Sequence, residues 1–129
     1  MNKIIVEVSI GELFDKISIL EIKQEKIKDP EKLKFIKNEH SILKDQLKKN
    51  VESDDKLNHL YQSLKEINAK LWIIEDDKRQ CEKDKDFGEK FIKLSRDVHF
   101  LNDDRAKIKL KINNLTGSAI KEIKEYTSY

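Results

Sequence analysis

Apolar residues recur along most of this chain at alternating steps of three and four, the spacing that keeps one face of an α-helix apolar. The run is longest at Phe87, Phe91, Leu94, Val98, Leu101, Arg105, Ile108, Ile112 and Leu115, which predicts one helix of ~29 residues, about 43 Å long. The same rhythm in Leu57, Leu60, Leu64, Ile67, Leu71, Ile74, Lys78 and Cys81 predicts a third helix before it, with Ser53 as its cap. Leu33, Ile36, His40, Leu43 and Leu47 define a second helix from Pro30 to about Lys49. A first helix, Ile10 to Lys28, carries Leu13, Phe14, Ile17, Leu20 and Ile27. Ile19 and Ile22 widen that stripe, so this helix is expected to touch two neighbours.

Punctuation agrees with periodicity. Ser9-Ile10-Gly11-Glu12 has the spacing of a capping box. Asp29-Pro30 suits an N-cap followed by the first helical position. Asp86 is the expected cap of the fourth helix, and Gly117 sits where a C-cap glycine belongs. The fold expected is all-α: an antiparallel bundle of about four helices, built as two helical hairpins of unequal length, in a single domain spanning 1–129. Residues 1–8, with the β-branched run Lys3 to Val8, read as a short extended segment. The tail, 118–129, is open between a short helical turn through Ile120, Ile123 and Tyr126 and pairing with the N-terminal segment.

Composition narrows the function classes. The 129 residues include 27 Lys and Arg against 25 Asp and Glu, a formal net charge of +2, and 40% of the chain is charged. Acids and bases are interleaved, which leaves no one-sided basic face, so nucleic acid is not an expected partner. No apolar run approaches the ~18 residues of a membrane span, so no membrane is expected either. The single Cys81 excludes an internal disulfide and a Cys-based zinc site, and suits a cytoplasmic protein. A compact chain of this mass would expose roughly 7,000 Å².

Three polar residues, His40, Lys78 and Arg105, interrupt the apolar seams. Pairing the helices as antiparallel neighbours about their loops sets Arg105 level with Glu66 and Ile67, Arg96 level with Glu75, and Trp72 level with Val98 and His99, while Asn68 faces the Asn102-Asp103 layer. A guanidinium at a seam position needs a carboxylate, and Glu66 is the expected one. Alternatively Asn68, Trp72, Glu75, Arg79, Arg96, Asn102, Asp103 and Arg105 line a ligand site for an anion between helices three and four. His40 is expected to be largely buried, neutral and hydrogen-bonded to a carboxylate or carbonyl. Cys81 reads as a small core residue.

No catalytic constellation is recognisable. The residues three before His40, His59 and His99 are Lys37, Lys56 and Arg96, so the Glu-x-x-His motifs of di-iron bundles are missing, as are His-Glu-x-x-His, the P-loop and Gly-x-Gly-x-x-Gly. Glu12-x-x-Asp15 and Glu122-x-x-Glu125 have the spacing by which helical nucleotide pyrophosphohydrolases hold magnesium, but one is a capping turn and the other lies in the tail. No metal or cofactor is expected.

Val8-Ser9-Ile10-Gly11-Glu12-Leu13 continuing through Asp15 to Lys23, Leu71-Trp72-Ile73-Ile74-Glu75-Asp76 with Arg79, Asn102-Asp103 with Arg105-Ala106, Ile108-Lys109 and Ile112-Asn113, and more loosely Gly117-Ser118 with Glu122, Glu125 and Tyr126, resemble a family of short bacterial and phage proteins of unknown function. The resemblance spans nearly the whole chain. It implies an association with proteins of sugar and surface-polysaccharide metabolism and brings no catalytic residue with it. The opening helix is more faintly similar to helical chorismate mutases. Those clamp a dicarboxylate with several Arg and Lys, whereas this chain has only Arg79, Arg96 and Arg105. The expected function is therefore a non-catalytic helical protein–protein interaction module, a homodimer formed through the long hairpin, possessing a coiled-coil character. The alternative is a binding protein or enzyme for a sugar-phosphate-like or carboxylate ligand.

Overall fold

The computed structural model describes residues 2–129, with four helices: α1 (Ile10–Lys26), α2 (Pro30–Asn50), α3 (Asp55–Asp84) and α4 (Glu89–Thr116). The bounds fall within about two residues of those expected, and three of the caps are where the sequence puts them. Ser9 Oγ accepts from the Glu12 amide at 3.0 Å, and Asp29 Oδ2 accepts from the Lys32 amide at 3.2 Å with Pro30 opening α2. Gly117 closes α4 in the left-handed conformation at φ 66°, a geometry that costs glycine nothing.

Two caps differ from expectation. Asp54, not Ser53, caps α3, taking the Leu57 amide at 2.7 Å. Gly88 stands at the N-cap of α4 without a side-chain bond, and Asp86 instead accepts from the Gly88 amide at 3.1 Å in the connection.

α3 and α4 form the long antiparallel hairpin, and α1 lies against both of them and against α2, whose backbone approaches α1 alone. So α1 touches three neighbours rather than the expected two, and its burial shows it: Gly11, Phe14, Asp15, Ile17, Ser18, Leu20 and Ile22 are all buried. The core cluster is Phe14 from α1, Leu57 and Leu64 from α3 and Ile112 from α4, with Leu47, Val51, Tyr61 and Ile108 packed at its edge. On α2 only Ile36 is buried.

At 17 residues against 30 and 28, α1 is too short to cover the hairpin: at 1.5 Å per residue it spans about 25 Å of some 45 Å. The far half of α3–α4 is left uncovered by α1, with Ile73, Ile92 and Phe100 exposed, although the Tyr129 ring of the tail packs edge-on against Phe100 at 5.4 Å. This explains an accessible surface of 9794 Å², well above the roughly 7,000 Å² of a compact chain of this mass. Residues 2–9 carry no regular structure and Ile4 is 90% exposed. The tail takes neither expected form. It is irregular and runs back beside α4, where Glu122 reaches Lys109 and the Tyr129 hydroxyl donates to Asp103. Among the described residues no helix is long and apolar enough to cross a membrane.

Candidate functional site

The polar heart of the molecule lies where α1 meets α3 and α4. Gly11 begins it. A Cβ there would stand 2.6 Å from the Lys109 carbonyl oxygen, so α1 and α4 approach as closely as they do only because this residue has no side chain. The Gly11 amide, in the unpaired first turn, donates to Asn113 Oδ1 at 2.7 Å, and the Ile10 amide donates to Ser118 Oγ at 3.1 Å. Asn113 thus does for α1 what a cap residue does from within the chain.

One turn on, the Asp15 carboxylate is 1% exposed and fully engaged. Arg105 grips it with two donors, Nε on Oδ1 at 3.0 Å and Nη2 on Oδ2, while Asn68 Nδ2 donates to Oδ1 at 2.8 Å. Asn68 also donates to Ser18 Oγ at 2.8 Å, and Ser18 returns its proton to the Asp15 carbonyl. Burial alone would raise the Asp15 pKa, but the bonds from Arg105 and Asn68 and the charges of Arg105 and Lys109 outweigh it, so the carboxyl titrates below its ordinary value. The bond to Asp15 outweighs burial for Arg105 as well and raises its pKa.

Lys109 stands beside this pair. Its Nζ lies 2.6 Å from Glu12 Oε2, 3.1 Å from Glu122 Oε2 and 3.8 Å from Asp15 Oδ2. Both acids of the first pair that resembles a magnesium motif and one of the second therefore converge at this point, but the charge they surround is a lysine ammonium. Glu12 also turns away from its expected capping-box role to make this contact. Burial opposes the charged lysine, and the three carboxylates more than offset it, so the Lys109 pKa is raised. No group of His, Cys, Asp and Glu among the described residues is arranged to hold a metal ion.

A groove of about 550 Å³ opens next to the Asp15–Arg105 pair. Of the eight residues expected to form a ligand site, Asn68, Trp72, Glu75, Arg79, Asn102 and Arg105 line it. Arg96 does not: it is exposed and outside the groove. Asp103 also stands apart, taken by Tyr129. Glu66, the expected partner of Arg105, is exposed, and the partner is Asp15. The level was right, since Asn68 and Arg105 donate to the same Asp15 oxygen, but pairing within the hairpin omitted the third helix lying across it. Of the other seam residues, Lys78 holds its ammonium 5.8 Å from the Phe91 ring centroid, and Cys81 is buried with a free thiol.

The His40 side chain is 22% exposed, largely buried as expected, and its Nε2 is bonded to Glu21 Oε2 at 2.9 Å, a carboxylate as expected. The Tyr61 hydroxyl donates to the other oxygen of Glu21. Burial raises the Glu21 pKa, and the bonds from Tyr61 and His40 with the charge of Lys65 outweigh it and depress it. Burial and the Glu21 carboxylate together push the Tyr61 hydroxyl well above its ordinary value, so it remains a proton donor.

The residues missed from the sequence are Gly11, Asp15, Ser18, Lys109 and Asn113. A signal for the first three exists: Gly11, Asp15, Ser18 and Ile22 follow steps of four, three and four, a second seam on α1 hidden by its small and polar members.

A family model for a family of unknown function, DUF6165, matches residues 4–129, and the chain belongs to that family. No curated protein and no solved structure shows significant similarity to it. The network is built largely from the segments that carry the resemblance noted from the sequence, from Ser9 through Ser18 on α1 and from Asn102 through Asn113 on α4.

Proposed function

We propose that this chain is a non-catalytic helical association module whose partner is a second copy of itself. The observation that supports this is the apolar strip on the side of α3–α4 turned away from the Asp15–Arg105 groove. Ile73 and Phe100 there are 52% and 46% exposed, and with Ile74 and Leu101 they line a shallow channel of about 380 Å³. Lys70 and Asp97 border that channel. A twofold axis through it sets Lys70 of one copy against Asp97 of the other and covers both strips at once, the self-complementary pattern of an isologous dimer. Two such hairpins packed this way make a coiled-coil-like four-helix contact. The buried free thiol of Cys81 fits a reducing cytoplasm.

Sedimentation velocity tests the proposal. The expected species has twice the 15.3 kDa of one chain, and Ile73→Glu with Phe100→Glu returns it to monomer without loss of helical circular dichroism. A 15.3 kDa species persisting at high concentration overturns it.

A second reading, a small-molecule site of the sugar-phosphate-like or carboxylate kind, is favoured by one observation: six residues expected for it line a single groove.

A further inference from the structure

The groove's free groups point away from an anion and toward a neutral ring. The anion reading draws on Arg79, Arg96 and Arg105, and only Arg79 is available. Arg96 lies outside the groove, and the guanidinium of Arg105 is held in two bonds by Asp15, which neutralises it. The remaining charged groups on the wall are two acids, Glu75 and Asp76, and one base, Arg79. An anion would meet one free cation facing two carboxylates, which is unfavourable.

What the wall does offer is an indole and a balanced set of hydrogen-bonding groups. Trp72, Glu75 and Arg79 occur at steps of three and four on α3, so their side chains project from one face of the helix as neighbours. None of the three forms a hydrogen bond or ion pair among the described residues, and no buried polar atom lacks a partner, so their polar atoms reach solvent in the groove. Asn68 spends both of its bonds through Nδ2, which leaves its Oδ1 as an acceptor. Asn102 Oδ1 takes only a long 3.5 Å contact from Arg105, and its amide donors are free.

We infer that this groove binds a neutral polyhydroxylated ring, a saccharide unit. The apolar C–H face of such a ring lies on the Trp72 indole beside Ile19, and its hydroxyls are shared among Glu75, Arg79 and the two asparagines. Every hydroxyl both donates and accepts, so a mixed wall of carboxylates, guanidinium and amides satisfies it from both sides. The volume of about 550 Å³ falls within the ~300–1,000 Å³ of small-ligand sites. The inference rests on the second reading above and alters its ligand class from anionic to neutral.

Trp72 is the only tryptophan of the chain, so its fluorescence reports the groove directly. The full-length protein is titrated, up to solubility, with glucose, galactose, N-acetylglucosamine and their trisaccharides, with glucose 6-phosphate, and with inorganic phosphate. The expected result is a saturable change in emission with at least one neutral sugar, none with phosphate, and no gain from the phosphate group of glucose 6-phosphate. Glu75→Gln and Arg79→Met should each weaken that sugar ten- to a hundredfold, the loss of a hydrogen bond to a charged group. Neither should move the melting temperature, because both side chains are unpartnered in the fold. Response to glucose 6-phosphate and phosphate but to no neutral sugar overturns the inference and leaves the anion reading standing. No saturable response to any probe overturns both, and so does a sugar response that survives both substitutions.

Discussion

Asp15 and Arg105 are 90 positions apart in the chain and joined by two hydrogen bonds between α1 and α4. The carboxylate is 1% exposed, whereas the guanidinium keeps an edge toward the groove. This asymmetry decides what each substitution does. Removing Arg105 strands a buried charge, and filling its place with an apolar side chain does not help, because the charge stays. Arg105→Ala and Arg105→Leu are each expected to cost about 3 kcal/mol, as broken buried pairs do. Replacing both partners, Asp15→Leu with Arg105→Leu, should recover part of that loss. Glu66→Ala should change stability by less than about 0.5 kcal/mol, the ordinary surface value. Chemical denaturation of the four variants decides it. An Arg105→Leu protein as stable as wild type would mean Asp15 is not the charge Arg105 holds in solution.

Acid should expose the same pair. The Asp15 pKa is depressed in the fold, so the unfolded chain binds more protons in acid than the folded one does. The stability contributed by ionised Asp15 is therefore complete above its unfolded pKa, about 3.9, and is lost as pH falls through the lower, folded value. Glu21, depressed in the same direction, adds to the slope. Asp15→Asn resembles the protonated acid at every pH. The stability gap between wild type and Asp15→Asn should be widest at pH 7 and close progressively below pH 4, as measured by urea denaturation at a series of pH values. A gap that stays constant down to pH 2.5 would contradict the assignment.

The helices were legible in the sequence because their signals are local. Ser9, Asp29, Pro30 and Gly117 act within one turn of where they stand, and a seam of apolar residues at steps of three and four leaves little freedom. Arg105 and His40 stood out because they break that seam. Their partners did not, because Asp15 and Glu21 sit on a helix whose position across the long hairpin is a tertiary matter. The site was legible to the same extent: residues on α3 and α4 at one level were found together, and Arg96 and Asp103 were included only because they lie near that level. Lys109, one of three lysines at alternate positions 107, 109 and 111, carried no sign that three acids from two other segments would surround it.

Gly11 is required by distance rather than by backbone angle. A Cβ would lie 2.6 Å from the Lys109 carbonyl oxygen and 3.0 Å from Asn113 Oδ1. The first contact is backbone of a packed helix and has no rotamer to relieve it. Gly11→Ala must push α1 from α4, lengthening the Gly11–Asn113 bond and loosening the ion pairs one turn away. A loss of about 2 kcal/mol is expected, within the range for overpacked interiors, despite alanine's higher helix propensity. Alanine at Gly88, where the nearest atom is the mobile Asp86 side chain at 3.3 Å, should be far milder. Equal melting temperatures for the two variants would argue that the helices are not so close in solution.

The last expectation concerns α2, which depends on one polar contact. Its backbone approaches only α1, it buries only Ile36, and the bond from His40 Nε2 to Glu21 is the one hydrogen bond or ion pair linking an α2 side chain to another element among the described residues. Segments with few buried apolar contacts open at lower free energy than the core. Amides of α2 should therefore exchange with solvent faster than those of α1 or of the first half of α3. His40→Ala removes the tie without touching the core cluster, and a hydrogen bond to a charged group contributes about 1.5 kcal/mol. Protection across residues 30–50 should accordingly fall roughly tenfold, while protection at Leu64 and Ile112 stays as it was. Tyr61→Phe is the control: it takes a different bond from Glu21 and leaves α2 tied, so exchange there should hardly change. If His40→Ala lowers protection equally in α2 and in the core, the whole fold has been weakened, and α2 is no separate unit.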